Sequence, residues 1–180
     1  NYQESIQYPS LNVRGLKSGW VEKEVRTIIP SFALAEIDVR LVKETDPNRL
    51  IGLIKEHIQK QGYHITKKDP SDEERMKYGK LITFKSKISY TAFRTPIDSP
   101  IGDWLSSAIR NGFEMEPIIK RTSGGSVPIS PFVNTLGVPA VTVPTVNPDN
   151  NQHSPNENIR VGNLIESVRT HLAILAQPYK

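Results

Sequence analysis

Residues 31–58 read SFALAEIDVRLVKETDPNRLIGLIKEHI, and the hydrophobic period changes within this stretch. Apolar side chains alternate up to about residue 41, which indicates a β-strand with one apolar face. Asp46-Pro47 then has the form of a helix N-cap followed by proline at the first helical position. Gly62 stands where a C-terminal cap is expected. Apolar residues at helical spacing lie between the two caps: Leu50, Ile51, Ile54 and Ile58. The stretch predicts a strand followed by an amphipathic helix.

The residues around this stretch extend the same pattern. A short strand is predicted at 11–16, another at 63–66 and a third at 81–94, with a charged loop at 67–80. The prolines Pro96 and Pro100 mark a boundary. Residues 1–97 therefore predict an α+β unit with an antiparallel sheet and a helix.

Residues 98–180 have a different pattern of predicted helices and strands. A helix is predicted from 100 to about 112, a possible short strand at 113–120, and a short helix at 131–136. Residues 138–143 form an apolar run typical of a strand buried on both faces, and a last helix starts near Val161. A strand of that kind has to be covered on both faces, which a segment with only one or two strands could hardly do by itself. The segment thus predicts only the C-terminal piece of an α/β domain.

Composition excludes several classes of protein. The 180 residues include no cysteine, which excludes disulfides, thiolate metal sites and cysteine nucleophiles, and is compatible with either cytoplasm or export. Net charge is +4 without a run of five basic residues, which argues against nucleic acid as a partner. No run of about 18 apolar residues occurs, so no membrane-spanning helix is predicted. The first ten residues lack the apolar region of a signal peptide, and any such peptide would lie upstream.

Three short segments carry candidate chemistry, each with a plainer alternative. His153 lies in the polar loop NPDNNQHSPNEN (147–158), where α/β folds gather ligand sites, and is either a metal ligand or a surface histidine. Gly125 and Ser126 belong to a turn that either lets backbone N–H groups approach a ligand oxygen or is a simple tight turn. Arg40 either forms a cross-strand ion pair or binds a carboxylate.

Three blocks together resemble the co-catalytic metallopeptidases of the carnosinase, aminoacylase and carboxypeptidase G type. The first runs from RTIIP (26–30) through IDVRLV (37–42) to Asp46-Pro47, the second is GGSVP (124–128), and the third is DNNQHSPNE (149–157). Their order and spacing agree with that family across nearly the whole chain. The resemblance implies that residues 1–97 are most of a lid or dimerisation domain, and that residues 98–180 are the C-terminal segment of a metal-binding catalytic domain.

The resemblance also implies roles for individual residues. His153 corresponds to a metal ligand and Arg40 to the residue that holds the substrate's terminal carboxylate. Thr27 corresponds to a lid residue that contacts the substrate, and Gly125 with Ser126 to a turn that binds one end of it. The intact enzyme would use two divalent ions, zinc or alternatively manganese or cobalt. It would act on a peptide substrate and form a homodimer through the lid.

The chain departs from the family pattern in its catalytic residues. It contains no His-x-Asp motif, and its Glu-Glu pair, Glu73-Glu74, lies in the charged loop of the lid. No catalytic residue is assigned in this chain. We therefore expect a fragment of a dipeptide-hydrolysing or short-peptide-hydrolysing enzyme that is inactive alone. The alternatives are a dimerisation or interaction module without catalysis, and an unrelated basic ligand-binding domain, which would explain the charge but none of the three blocks.

Overall fold

The computed structural model describes residues 1–125 and 127–179. The chain divides into two compact units. The first comprises Asn1–Phe93 with Gly124–Pro131, and the second comprises Arg94–Ser123 with Phe132–Lys180. Each unit has its own secondary structure and is described separately.

The first unit is built on an antiparallel strand pair. After a short helix, α1 (Tyr2–Ser5), strand β1 (Ser10–Ser18) pairs with β2 (Ala33–Arg40), from Ser10 opposite Arg40 to Ser18 opposite Ala33. The register shifts between Val13 and Gly15, which marks a β-bulge in β1. Both predicted strands and the antiparallel sheet are confirmed.

Helix α2 (Pro47–Lys60) follows the caps that the sequence indicates. The side chain of Asp46 accepts a hydrogen bond from the backbone N–H of Asn48 at 2.8 Å. Gly62 has φ +85°, a left-handed conformation that glycine adopts without steric cost. The predicted helix and both of its ends are confirmed.

A second, parallel strand pair follows α2. Strand β3 (His64–Thr66) pairs with β4 (Leu81–Thr83), and helix α3 (Asp72–Lys77) lies between them in sequence. The predicted loop at 67–80 was therefore wrong at its centre. Ser71 and Glu74 form a reciprocal capping box that starts the helix. The predicted strand 81–94 was too long, since its ladder ends at Thr83.

The second unit contains a packed helix pair, α4 (Pro100–Phe113) and α6 (Val161–Ala176). The indole N–H of Trp104 on α4 donates to the carbonyl oxygen of Gln177, just beyond α6, at 2.9 Å. The ring of Tyr179 packs edge-on against the same indole with centroids 5.6 Å apart. The predicted helices near residues 100 and 161 are confirmed. The predicted short helix is confirmed as α5 (Ser130–Leu136), whose first two residues belong to the first unit.

Two predicted strands, at 113–120 and 138–143, are not strands in this structure. The backbone of Ala140 instead bonds to one side chain. The hydroxyl of Thr95 donates to the Ala140 carbonyl at 2.7 Å and accepts from the Ala140 N–H at 3.0 Å. Val138 and Val141 remain about half exposed. An apolar run forms a β-strand only when it pairs with a neighbouring strand. Here the hydroxyl of Thr95, and not a second strand, forms the backbone hydrogen bonds of Ala140.

Buried apolar side chains are scarce. Among the described residues, Ala108 on α4, 1% exposed, is the one hydrophobic side chain that is buried. The apolar positions of α6 lie at helical spacing and are at least half exposed: Val161, Leu164, Ile165, Val168, Leu172 and Leu175. No helix in the described part of the chain is long and apolar enough to cross a membrane.

Candidate functional site

His153 lies in the loop between residue 146 and α6, in a backbone conformation that is uncommon for its residue type. The loop contains three non-glycine residues with positive φ: Asn151 at +53°, His153 at +64° and Asn156 at +63°. Left-handed φ values are disfavoured for residues with a Cβ, and they persist where surrounding bonds enforce them. The imidazole itself is exposed. The loop therefore presents His153 to solvent from a constrained backbone.

Asn147 supplies much of that constraint. Its side chain is 1% exposed, and both ends of the amide are bonded. The Nδ2 group donates to Asp149 Oδ1 at 2.9 Å and to Asn158 Oδ1 at 3.3 Å, and Oδ1 accepts from the Arg160 N–H at 3.1 Å. Asn158 N–H also donates to the Asn150 carbonyl at 2.9 Å. One buried amide thus joins the beginning of the loop to its end.

Asp149 is held as a carboxylate at the edge of this network. The hydrogen bond from the Asn147 amide lowers the pKa of Asp149 below its usual value, partial desolvation opposes the change, and the positive charge of Arg160 lowers the pKa further. The Arg160 guanidinium also forms an ion pair with the carboxylate. The carboxylate of Asp149 is therefore already committed to Asn147 and Arg160.

The loop alone does not fit a catalytic metal ion. A catalytic zinc takes about three protein ligands, most often imidazole nitrogens and carboxylate oxygens. The described residues contain no group of three histidine, aspartate or glutamate side chains placed to hold an ion. The metal role of His153 remains a prediction, and within residues 1–125 and 127–179 no further ligands are placed to complete a site.

Arg40 and Thr27 belong to the first unit. Arg40 ends β2, and its Nε donates to Asp38 Oδ2 on the same strand at 2.7 Å. The cross-strand ion pair on this sheet is formed by other residues, Arg14 of β1 and Glu36 of β2, at 3.5 Å. Thr27 is exposed in a bend before β2. Their roles toward a substrate remain predictions.

The glycine turn also belongs to the first unit. Gly125 lies in a bend, and a Cβ built on it would meet no atom within 4 Å, so the backbone there is open to approach. Ser126, predicted to bind substrate beside it, lies outside the described residues. The turn and Arg40 are in one unit and His153 is in the other.

A known family matches part of the first unit. Residues 1–66, which contain the β1–β2 sheet, α2 and β3, match the family model of the peptidase dimerisation domain. Residues 1–66 are thus similar to peptidase dimerisation domains. The loop of His153 lies outside the matched residues.

Known metallopeptidases are similar to nearly the whole chain. The Cys-Gly metallodipeptidase DUG1 of Saccharomyces cerevisiae is 23% identical over 181 residues, covering 94% of this chain and 33% of the relative. The human Beta-Ala-His dipeptidase is 26% identical over 176 residues, covering 95% of this chain and 32% of the relative. The chain spans about a third of the length of the curated relatives that it matches. The resemblance to co-catalytic metallopeptidases is confirmed.

A solved structure supports the same relationship. The M20 family metallo-carboxypeptidase of Sulfolobus solfataricus has a TM-score of 0.68 with 26% identity, covering 96% of this chain and 36% of that one. The predicted fold class, an α+β dimerisation domain with an antiparallel sheet and helices together with a C-terminal segment similar to metallopeptidases, is confirmed. The boundary near residue 97 stays a prediction.

Sequence reasoning missed Asn147 and its bonds. It selected His153 for its residue type and passed over the asparagines around it. A signal was present, since Asn and Asp side chains readily bond to nearby backbone and tolerate left-handed φ. A loop with asparagine at 147, 150, 151, 156 and 158 is rich in such groups.

Proposed function

We propose that this chain is one segment of a metal-dependent peptidase that hydrolyses dipeptides or short peptides, and that the chain is inactive by itself. The observation that carries the proposal is the pattern of similarity. Metallodipeptidases match 94–95% of this chain, whereas the chain accounts for only 32–33% of their length. Together with the lack of a three-ligand cluster among the described residues, this pattern supports a partial site.

Within that enzyme, the chain would supply binding groups. Arg40 would hold the terminal carboxylate of the peptide, for which a planar guanidinium is well suited. Gly125 and Ser126 would bind the substrate end through backbone and hydroxyl groups, and Thr27 would contact the substrate from the lid. His153 would be one ligand in a site of two divalent ions, zinc or alternatively manganese or cobalt. The remaining ligands and the catalytic base would come from sequence outside this chain.

A zinc titration of the purified chain by calorimetry tests the proposal, with His153→Ala as the control. We expect weak binding that His153→Ala abolishes, because one imidazole does not make a tight site. A parallel assay with Cys-Gly and β-Ala-His should show no metal-dependent cleavage. Two tight zinc sites, or cleavage of either dipeptide by the purified chain, would overturn it.

A second candidate function is subunit association without catalysis, and the match of residues 1–66 favours it. The β1–β2 pair leaves an outer edge on each strand, and its apolar side chains are exposed: Leu11, Val13, Leu16, Leu34 and Ile37. Exposed strand edges pair readily with another strand. Light scattering over a range of concentrations tests this function. A homodimer is expected, and a monomer at every concentration would count against association.

A further inference from the structure

We propose that Asn147 is the positioning residue for His153, because its buried amide fixes both ends of the loop that presents the imidazole. The inference deepens the proposed function, on which it rests only for the metal role of His153. Asn147 itself lies six residues before the histidine and is buried, so it would act through the loop backbone and not on the substrate.

The bonds of Asn147 are placed where the loop closes. On one side, the amide reaches Asp149, two residues on in sequence. On the other, it reaches Asn158 and the backbone N–H of Arg160, directly before α6. The donor–acceptor distances of these three hydrogen bonds lie between 2.9 and 3.3 Å. The amide therefore ties the loop to the start of a helix that is itself packed against α4.

The segment between these anchor points carries the three left-handed residues. Asparagine and histidine adopt such φ values more readily than other residues with a Cβ, and the closure at the base adds to that preference. Two hydrogen bonds within the loop also stabilise this backbone. Gln152 N–H donates to Asn150 Oδ1 at 3.1 Å, and Ser154 N–H donates to the Asn151 carbonyl at 2.9 Å. The direction of the His153 side chain follows from this backbone.

A leucine at position 147 removes the three side-chain bonds of Asn147 and keeps the same number and branching of side-chain heavy atoms. In Asn147→Leu, the backbone N–H of Arg160 loses its acceptor, and Asp149 and Asn158 lose their common donor. We expect amide exchange at Arg160 and Asn158 to rise about ten- to a hundredfold. We also expect the three-bond HN–Hα coupling and the carbon shifts of His153 to leave their left-handed values.

NMR on the 180-residue chain measures both effects without metal or substrate. The amides of α6 serve as the internal reference, since a general loss of stability would raise exchange there as well. Asn163→Leu on α6 is the matched control, and its loop should be unchanged. If Asn147→Leu fails to fold, Asn158→Ala removes one acceptor at an exposed position and should loosen the same amides to a smaller extent.

The outcomes separate the inference from the function on which it rests. A His153 that keeps its left-handed signature in folded Asn147→Leu, with loop amides still protected, would overturn the positioning role. A loop that loses order in Asn147→Leu supports it. Loss of loop order in a chain whose His153→Ala variant binds zinc as wild type would uphold the positioning role and remove the proposed metal function.

Discussion

Single residues in the His153 loop set how the site responds to pH. The pKa of Asp149 is lowered, mainly by the Asn147 amide, so the folded state favours the carboxylate. The stabilising contribution is therefore complete above the ordinary aspartate pKa of about 3.9, and is lost as pH falls through the lowered value. We expect the ¹³C carboxyl signal of Asp149 to titrate below that ordinary value, and Asn147→Leu to move its pKa upward. Titration at the ordinary value in the wild-type chain would contradict the network.

Glu114, outside this loop, also has a left-handed backbone conformation. It ends α4 with φ +53°, and its N–H donates to the Arg110 carbonyl at 2.9 Å. Glycine is the preferred residue at this position of a helix end, because the left-handed conformation penalises a Cβ. We expect Glu114→Gly to raise the free energy of unfolding by roughly 0.5–1 kcal/mol, measured by urea denaturation.

A neighbouring substitution provides the control. Glu116 accepts two hydrogen bonds from Arg110, at 2.7 and 2.9 Å, and this pairing lowers the pKa of Glu116. Glu116→Gly removes the pair without relieving any strain, and should lower the free energy of unfolding slightly. Equal destabilisation by both glycine substitutions would show that the conformation of Glu114 carries no cost.

At the level of elements, two helical glycines should respond oppositely to alanine. A Cβ at Gly112 on α4 would lie 2.7 Å from the Cβ of Ala173 on α6, whereas a Cβ at Gly52 on α2 would meet nothing within 4 Å. Alanine is the better helix former by about 0.8–1 kcal/mol. We expect Gly52→Ala to raise the free energy of unfolding by about 0.8–1 kcal/mol. We expect no such increase for Gly112→Ala, because the new Cβ would force α4 and α6 apart. Denaturant unfolding of both variants tests it, and stabilisation by Gly112→Ala would contradict this packing.

The sequence predicted elements well where local signals suffice. The ends of α2 were predicted from Asp46, Pro47 and Gly62, because caps act within a single turn. Helix α3 was missed although Ser71 and Glu74 form a capping box, since charged residues around it suggested a loop. The strand at 138–143 was predicted from its apolar run and is absent, because strands depend on neighbours that no local pattern reports.

The candidate site was predictable only in part for the same reason. His153 could be selected by residue type and by its place after an apolar run. The burial of Asn147 and its bonds to Arg160, 13 residues away, depend on how the loop closes. A pattern of asparagines predicts turns, and it does not indicate which asparagine becomes buried.

At the scale of the whole molecule, the exposed area argues that this sequence does not complete its own core. The chain of 20.2 kDa has 14599 Å² of accessible surface. A compact monomer of this mass would expose about 8,800 Å², and two separate domains of half the mass about 10,500 Å² in total. The excess agrees with the single buried hydrophobic side chain found among the described residues. It supports the proposal that further sequence covers these faces.

The outward face of α6 gives this argument a direct test. Leu172 and Leu175 are 61% and 81% exposed, so replacing both with glutamine should change the free energy of unfolding by less than about 1 kcal/mol. The same change should reduce self-association, because a large apolar patch promotes it. Ala108→Leu is the contrasting variant and should cost roughly 1–3 kcal/mol by overpacking a buried position. Denaturation and light scattering at several dilutions measure both effects. A loss above about 2 kcal/mol from the leucine pair in dilute solution would mean that the chain already covers this face of α6.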